Sequence, residues 1–555
     1  MQDSGKSRAV KPRLAITMGF VFFSVTPGML AQGVHNPLRG PWGLARSTAG
    51  ESLEGMMVQL VSEKSSIRTT VFSNYEGRYE FPVLPAGRYE LRIVRPLEFR
   101  PYQRHSVPVD GSTRLEDIIL ERITQSEFLS PTPEIAVQLT GVEWLLNLPG
   151  TGEERKRFVD ACTNCHSYYQ IFRNRHEEQY WRMIITRMFS IRHVLSPNTG
   201  NLKELPKRTE EIDVLSRFLG RVRGPESKDP PFRALPRPRG AATRMIVTEY
   251  EFPHLRLYPK DLAADAAGNI WYLAERAPFI GKLDPRTGIV QEYRIPTTDG
   301  FAPVTALGTS LAVDKKKNVI WLAHNHGQTV KLTRFDPQTG TFGPVPLPPR
   351  QGEEPVNLGL APDGSVWLNW DGLINRIDPE TGRFIRQYPM NVDATFDNVI
   401  NSDGAFWASG TLGRGANVIT FLDITKGEVV KLPVHTRGAS PARGGFDREG
   451  NAWFGGRGGV LVKLDTRNRR VLEYPPPTPY ATFQQATPDK NGEVWAGYSQ
   501  GGVVARFNPR TERWIEYGMP EPYVRSQQIW IDNSTDPVTV WYVNNTGIVR
   551  LQPLE

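Results

Sequence analysis

The chain has 555 residues, of which 39% are hydrophobic and 10% aromatic, and its formal net charge is +8. This length exceeds what one compact core usually organises, so several folded domains are expected. Fifty glycines and 46 prolines favour turns and short strands over long helices. Its basic residues form no helix with base-reading spacing, so we expect no nucleic acid among its partners.

Residues 1–31 have the pattern of a signal peptide. Four Lys/Arg residues precede a mostly apolar run, 14–30, and Ala31 is a small residue at the expected cleavage point. A retained membrane anchor is the alternative, but Pro27 and Gly28 interrupt the run, which is unfavourable for a spanning helix. We therefore predict an exported, periplasmic protein without an integral membrane span after cleavage.

Residues 48–122 are predicted to form a small antiparallel β-sandwich. Short alternating strings, of which 57–61 and 78–81 are the clearest, are separated by turn signals such as 74–77. The string SNYEGRYEFPVLPAGRYELRIV resembles the carboxypeptidase regulatory-like domain, an Ig-like sandwich, and DGSTRLEDIILER resembles its closing strand. That resemblance implies an accessory or adhesion role without catalysis. The next residues, 123–149, are predicted to be a linker.

Residues 150–222 change to a helical pattern. Good helix formers fill 153–161, and apolar residues recur at helical spacing in 177–189 and 210–222. Three short helices around a Cys-x-x-Cys-His string are typical of a small all-α cytochrome c domain, which we predict here.

The string Cys162-Thr163-Asn164-Cys165-His166 carries the main chemical prediction. Haem c needs two thiols that add across the vinyl groups of the porphyrin and an adjacent imidazole that binds the iron. A zinc site would need further cysteine ligands that the chain lacks, and a dithiol redox site would need a βαβ setting. We predict one covalent haem c, with His166 as the proximal iron ligand.

The second iron ligand is predicted to be Met188. The string CTNCHSYYQIFRNRHEEQYWRMIITRM resembles bacterial cytochromes in which a helix places a methionine seven residues after Trp181 and brings it to iron. A methionine would raise the reduction potential, and a histidine would lower it. A core methionine is the alternative at this position, and Met183, His176 and His193 stay open as ligands.

The positive charge is concentrated beside the predicted haem. Residues 151–224 hold fourteen Lys/Arg and nine Asp/Glu. Such an excess favours an acidic redox partner protein, and an ordinary solvated surface is the alternative.

Residues 223–243 are predicted to be a stiff Pro-rich linker, and 244–555 a seven-bladed β-propeller. One tryptophan recurs after gaps of 40 to 50 residues, each time behind a small turn: Trp271, Trp321, Trp367, Trp407, Trp453, Trp495 and Trp541. The last repeat is short of one strand, which 244–251 is expected to supply, so that the ring closes.

The strings AADAAGNIWYLAERAPFIGKLDPRTGIVQEYRIP and GGFDREGNAWFGGRGGVLVKLDTRNRRVLEYPPP resemble the virginiamycin B (streptogramin) lyase family, which is a seven-bladed propeller. The resemblance implies a Glu-x-His string at a blade start together with a divalent metal. The corresponding strings here, TFQQATPDKNGEVW and SPARGGFDREGNAW, lack that histidine. Quinone-cofactor dehydrogenases also join a propeller to a haem domain, but the tryptophan that follows their Asp-x-x-Thr-Gly string is absent here.

These patterns leave three functions. The main prediction is periplasmic haem c electron transfer, in which the propeller binds a substrate or partner. The alternatives are a lyase-like or quinone-dependent enzyme in the propeller, and a polymer- or partner-binding module with an accessory haem. Loops 323–327 and 369–372 are candidate sites in the propeller, because His324 and His326 would point to one face of a strand.

Overall fold

The computed structural model describes most of the chain after the predicted signal peptide. The described residues are 37–65, 67–124, 133–162, 166–195, 208–229, 232–253, 259–274, 277–296, 306–326, 329–345, 357–370, 373–389, 397–410, 417–524, 528–544 and 546–555. The signal peptide prediction, 1–31, and the predicted haem thiol Cys165 lie outside these residues.

An Ig-like sandwich of two sheets forms the N-terminal part. Its strands are β1 (Leu38–Ser47), β2 (Met57–Ser62), β3 (Arg68–Phe72), β4 (Arg78–Pro82), β5 (Gly87–Val94), β6 (Gln103–Val109) and β7 (Ile118–Leu120). One sheet has the order β4-β1-β7, and the strands β3-β2-β5-β6 follow one another in the second. Alternating residues of both sheets, among them Tyr79, Phe81, Leu91 and Ile93, share one buried core.

Strand β1 begins before the predicted start of the sandwich at residue 48. Gly40 and Gly43 interrupt its alternation, which is why the sequence pattern does not reveal it. A Cβ atom at Gly40 would lie 2.0 Å from the carbonyl oxygen of Pro82, and one at Gly43 would lie 2.4 Å from Tyr79 Oη. These positions therefore require glycine, because β4 approaches the backbone of β1 too closely for a side chain.

A helical region follows the sandwich. Its helices are α1 (Pro133–Ala136), α2 (Gly141–Asn147), α3 (Gly152–Cys162), α4 (Tyr169–Phe172), α5 (Glu178–Leu195) and α6 (Thr209–Val222). The three helices predicted in 153–161, 177–189 and 210–222 are confirmed as α3, α5 and α6. Their apolar faces meet in one core that includes Phe158, Trp181 and Phe218.

The two predicted linkers are packed against this core. Segment 123–149 carries α1 and α2, and Trp144 and Leu145 of α2 belong to the helical core. Thr140 Oγ1 accepts the amide of Glu143 at 3.0 Å and so caps α2. In segment 223–243, Phe232 is buried in the same core and Arg237 pairs with Glu98 of the sandwich at 2.6 Å. Proline and charge content predicted a stiff, extended spacer in 223–243 and a simple connection in 123–149, but these tertiary contacts hold the described residues of both segments.

Seven four-stranded antiparallel sheets occupy 245–555 within the described residues. Their strands are β8 (Met245–Glu251), β9 (Pro259–Ala264), β10 (Ile270–Ala274), β11 (Phe279–Leu283), β12 (Val290–Arg294), β13 (Ala306–Asp314), β14 (Val319–His326), β15 (Thr329–Asp336), β16 (Thr341–Val345), β17 (Leu358–Leu360), β18 (Val366–Trp370), β19 (Leu373–Ile377), β20 (Phe384–Pro389), β21 (Val399–Ile400), β22 (Phe406–Ser409), β23 (Val418–Asp423), β24 (Glu428–Pro433), β25 (Pro441–Phe446), β26 (Ala452–Gly456), β27 (Val460–Asp465), β28 (Arg470–Tyr474), β29 (Phe483–Pro488), β30 (Val494–Tyr498), β31 (Val503–Asn508), β32 (Arg513–Gly518), β33 (Ile529–Asp532), β34 (Thr539–Val543) and β35 (Gly547–Pro553).

These sheets have a propeller-like arrangement. The first strand of each sheet contacts the first strand of the next, in the order β9, β13, β17, β21, β25, β29 and β33, and β33 contacts β9 again. The seventh sheet takes its outer strand from β8, which pairs with β35 from Met245↔Pro553 to Glu251↔Gly547. The predicted closure of the ring by the early strand is therefore confirmed, because that pairing joins the two ends of the repeat.

The repeated tryptophans lie in the second strand of each sheet and are buried. In the fifth sheet, the Asp447 carboxylate accepts the backbone amide of Asn451 at 2.8 Å and the indole N–H of Trp453 at 2.8 Å. Asp265 and Asp489 make the same indole bond in two other sheets, at 2.9 and 3.0 Å. One carboxylate thus closes the turn and satisfies the buried indole, which explains the repeated spacing between aspartate and tryptophan.

The sandwich continues the seventh sheet of the propeller. Strand β3 pairs antiparallel with β8 through Arg68↔Glu249, Thr69↔Thr248 and Thr70↔Val247. The resulting sheet has eight strands, in the order β33-β34-β35-β8-β3-β2-β5-β6. Strand β8 is therefore covered by the sandwich and does not present an open edge. None of the described helices is both long enough and apolar enough to cross a bilayer.

Candidate functional site

The predicted haem-binding string lies where α3 ends. Cys162 is the last residue of α3 and is partly buried, and His166 is partly buried at the start of the segment that leads into α4. The intervening residues, 163–165, are outside the described part of the chain. One thiol of the motif therefore lies at the end of a helix, and the imidazole of the motif follows shortly after it in the chain.

The imidazole of His166 has a defined orientation. Its Nδ1 lies 3.0 Å from the carbonyl oxygen of Ser167. A carbonyl oxygen accepts and cannot donate, so Nδ1 carries the hydrogen and donates it. In the neutral ring this leaves the lone pair on Nε2, which is the arrangement found in histidines that bind a metal through Nε2.

A glutamine of the propeller binds the backbone on both sides of Ser167. Gln500 lies between β30 and β31 and is 0% exposed. Its side-chain Nε2 donates to the carbonyl of His166 at 3.0 Å, and its Oε1 accepts the amide of Tyr168 at 3.0 Å. Its own carbonyl accepts the amide of Val142 in the first turn of α2 at 2.9 Å. The propeller and the helical region therefore meet directly at the motif.

Two glycines let these segments approach. A Cβ atom at Gly141 would lie 2.4 Å from Gln500 Oε1, and one at Gly502 would lie 2.8 Å from Thr140 Cγ2. Gly502 also has a φ of +61°, which disfavours other residues. The close contact is thus encoded on both sides of the junction.

Aromatic side chains form the buried core next to the motif. The ring of Tyr168 is 0% exposed and lies 4.9 Å from the ring of Phe158, which lies 5.0 Å from that of Phe172. Burial raises the pKa of Tyr168 well above its ordinary value, and the neighbouring Cys162 adds to that shift. Tyr168 therefore stays neutral within the core that holds the motif in place.

The predicted distal ligand, Met188, lies on α5 outside the helical core. The buried face of that helix is formed by Trp181, Ile185 and Phe189, whereas the Met188 side chain is 43% exposed. A plain core methionine therefore does not describe this position. Met183 is 63% exposed on the same helix.

The two histidines kept open as ligands differ in what the structure describes. The ring of His176 packs edge-on against Trp181 at 5.1 Å, and the amide of His176 donates to the carbonyl of Arg223 at 3.0 Å. The backbone of His193 belongs to α5, and its side chain lies outside the described residues.

The helical region rests on one face of the propeller. In a four-stranded meander, the connection between the second and third strands lies on the same side as the connection to the next sheet. Gln500 lies in a connection between the second and third strands of one sheet. Arg437 and Tyr480 lie in connections that lead from one sheet to the next. Lys156 of α3 donates to the carbonyl of Arg437 at 3.4 Å, and Tyr480 packs on the helical core.

A buried ion pair crosses the middle of the ring near that same face. Arg443 of β25 donates to Asp261 of β9 at 2.5 Å, and the two side chains are 3% and 1% exposed. Arg443 also lies 3.3 Å from the side-chain oxygen of Asn357, at the start of the third sheet. These side chains come from the first, third and fifth sheets and converge in the space that the inner strands surround.

Asp397 adds a second acid beside this pair. Its carboxylate accepts the amide of Gly444 at 3.2 Å, and its carbonyl accepts the side-chain amide of Asn369 at 3.1 Å. Burial raises the pKa of the Asp397 carboxyl, and the Arg443 guanidinium opposes that shift. The candidate loop 369–372 thus contributes Asn369, whose side chain contacts Asp397 beside the ion pair.

The candidate histidines of the propeller are not brought together as a site in the described structure. His324 is 4% exposed, and its Nε2 lies 2.8 Å from Thr333 Oγ1. The side chain of His326 lies outside the described residues, and His435 is exposed. Within the described residues, no group of three or more His, Cys, Asp or Glu side chains has metal-binding geometry.

Sequence reasoning did not find Gln500, Asp261 or Arg443 as site residues. Gln500 lies 334 positions from His166, and Arg443 lies 182 positions from Asp261. No local spacing connects such residues. The one local signal is that Asp261 and Arg443 each stand at the third position of an inner strand whose following residues are apolar or glycine.

Residues 42–121 match the family described as carboxypeptidase regulatory-like domain, which confirms the predicted sandwich. A streptogramin B lyase structure is similar to 57% of this chain and 99% of its own, with 20% identity and a TM-score of 0.48. A virginiamycin B lyase from Staphylococcus aureus is similar to 56% of this chain and 99% of its own, with 18% identity and a TM-score of 0.47. Hydrazine synthase from Kuenenia stuttgartiensis covers 54% of this chain and 96% of its own, with 12% identity and a TM-score of 0.42. No curated protein sequence matches the chain.

Proposed function

We propose that this chain is an exported haem c protein that transfers single electrons, with the propeller as the scaffold on which the haem region is mounted. Cys162 and Cys165 would hold the porphyrin, and His166 and Met188 would bind the iron. The haem would supply a one-electron couple whose potential depends on its axial ligands and their hydrogen bonds.

The orientation of His166 is the observation that carries this proposal. Its Nδ1–H is committed to the Ser167 carbonyl at 3.0 Å, so Nε2 is the nitrogen that offers a lone pair. Iron-binding histidines of c-type cytochromes need this tautomer. The hydrogen bond that Nδ1–H donates increases the basicity of Nε2 as a ligand. Cys162 ends α3 shortly before His166 in the chain, so the described residues of the motif supply a thiol and an imidazole of the kind that a covalent haem needs.

The surface of the helical region supports a protein partner with acidic groups. Arg182, Arg187, Arg217 and Arg221 are exposed on α5 and α6, and two of them, Arg182 and Arg221, also pair with Asp213 and Glu154. Clustered positive charge accelerates association with an acidic partner, and salt screens that attraction. We therefore expect the rate of electron transfer to an acidic acceptor protein to fall as ionic strength rises.

The first experiment tests for the haem itself. The protein is produced with the cytochrome c maturation machinery, denatured, and examined for haem that stays attached to the polypeptide. We expect attached haem with a reduced α-band, and its loss in the Cys162→Ala/Cys165→Ala variant. A colourless protein, under conditions that mature a control cytochrome, would contradict the proposal.

The second experiment tests the distal ligand. Ferric haem with a methionine ligand has a weak charge-transfer band in the red, which is lost when the methionine is removed. We expect Met188→Ala to abolish this band and lower the reduction potential. Met183→Ala is the matched control on the same helix and should leave both unchanged. The opposite pattern would assign the ligand to Met183.

A further inference from the structure

We propose that Gln500 of the propeller is a positioning residue for the imidazole of His166. This inference rests on the proposed haem function and extends it: the propeller helps to set the electronic properties of the haem through one amide side chain.

The Gln500 side chain makes two hydrogen bonds to the backbone of the motif. Its Nε2 donates to the His166 carbonyl and its Oε1 accepts the Tyr168 amide, both at 3.0 Å. These two groups belong to the peptide units on either side of Ser167. The Ser167 carbonyl belongs to the same planar trans peptide unit as the Tyr168 amide and points the opposite way, so holding that amide fixes the direction of the carbonyl.

The Ser167 carbonyl in turn accepts the Nδ1–H of His166 at 3.0 Å. That bond gives the imidazole partial anionic character and makes Nε2 a stronger donor to a metal. The line of contacts therefore runs from Gln500, through the backbone of residues 166–168, to the ring nitrogen that would bind iron.

The site of Gln500 is built for this contact. The residue is 0% exposed, and its backbone carbonyl is separately bonded to the Val142 amide at 2.9 Å. Gly141 lies so close that a Cβ atom would be 2.4 Å from Gln500 Oε1. The side-chain amide thus has one available arrangement, and both of its polar atoms are used on the backbone of the motif.

The same sheet offers a matched control. Gln485 is 6% exposed, and its amide also brackets a backbone segment. Its Oε1 accepts the amide of Ile529 at 2.9 Å, and its Nε2 donates to the carbonyl of Ile529 at 3.3 Å. Gln485→Leu therefore removes these two bonds, together with the 2.9 Å bond from Gln485 Nε2 to Thr487 Oγ1, from the propeller without touching the motif.

The experiment compares Gln500→Leu, Gln500→Glu and Gln485→Leu with the unchanged protein. Measurements are the attached haem, the midpoint potential, the ferric electron paramagnetic resonance spectrum and the exchange rate of the Tyr168 amide. We expect Gln500→Leu to keep the haem but to shift the midpoint potential upward, because a weaker bond at Nδ1 makes His166 a weaker donor. The Tyr168 amide should exchange roughly tenfold faster.

The conservative variant Gln500→Glu separates an effect on the position of His166 from an effect on folding. Gln500→Glu keeps the size and the acceptor for Tyr168 but loses the donor to His166, so its potential should lie between those of the unchanged protein and Gln500→Leu. Gln485→Leu should leave the potential and the resonance spectrum unchanged. If haem-loaded Gln500 variants keep the original potential and spectrum, this inference is wrong and the proposed function stands. If the unchanged protein carries no attached haem, the proposed function is wrong, and this inference with it.

Discussion

Arg443 and Asp261 form an ion pair across the centre of the propeller, with 2.5 Å between the guanidinium nitrogen and the carboxylate oxygen. Both side chains are almost fully buried, and they join sheets that are not neighbours in the ring. The pair thus ties opposite parts of the ring together at the face that carries Cys162 and His166.

Arg443→Met should destabilise the propeller strongly. It leaves the Asp261 carboxylate buried without its charged partner, which costs about 3–5 kcal/mol for pairs of this kind. Chemical unfolding followed by tryptophan fluorescence measures the change. The control is Arg469→Met, which removes an exposed ion pair with Glu428 and should leave the unfolding midpoint unchanged. Equal effects of the two substitutions would show that the central pair has no special structural role.

Asp447→Ala tests the repeated bond between aspartate and tryptophan. The substitution removes the acceptor of the Trp453 indole and of the Asn451 amide, so we expect a loss of about 1–3 kcal/mol in unfolding free energy. Asp403→Ala is the control, because Asp403 is exposed and the turn of its sheet is closed by Asn401, which accepts the amide of Ala405 at 2.8 Å. A stable Asp447→Ala protein would mean that the indole is satisfied in another way.

The junction of sandwich and propeller can be tested through Gln59 and Glu249. Gln59 Nε2 donates to the Glu249 carboxylate at 2.9 Å, and Gln59 Oε1 accepts from Arg92 at 2.8 Å. Gln59→Leu removes one bond from the buried Glu249 carboxylate and one from the partly exposed Arg92 guanidinium, so the unfolding free energy should fall by about 2–3 kcal/mol. A double-mutant cycle with Glu249→Leu should give a coupling of about 1 kcal/mol or more. Strictly additive effects would show that these two side chains do not couple the sandwich to the seventh sheet.

Local sequence patterns predict the part of the fold that comes from the repeat along the chain. The period between Trp271 and Trp541 gives the seven sheets, and the missing outer strand of the last one points to 244–251. Strand β1 is missed because Gly40 and Gly43 remove its alternation. The contacts of Gln500 with His166 and of Arg443 with Asp261 are missed for another reason: they join residues that only the closed ring brings together.

Glu521 is expected to make the stability of the protein depend on pH at the junction of the sandwich and the propeller. Burial raises its pKa to about 7, and the negative charge of Glu249 contributes to the shift. Its carboxyl group accepts a hydrogen bond from Thr546 at 3.0 Å, which partly opposes that shift. In the unfolded chain the same group titrates near its ordinary value of 4.5.

Between these two values the folded protein binds more protons than the unfolded chain, so stability falls as pH rises from about 4.5 to about 7. Glu521→Gln removes this titration, and its unfolding free energy should therefore change less over that interval, by roughly 1–3 kcal/mol. Urea unfolding at about pH 5, 6, 7 and 8, a series that runs from below the raised pKa of this carboxyl to above it, measures the difference. Glu51→Gln, at an exposed turn of the sandwich, is the control and should follow the unchanged protein. Parallel curves for Glu521→Gln and the unchanged protein would show that this carboxyl does not govern the pH dependence.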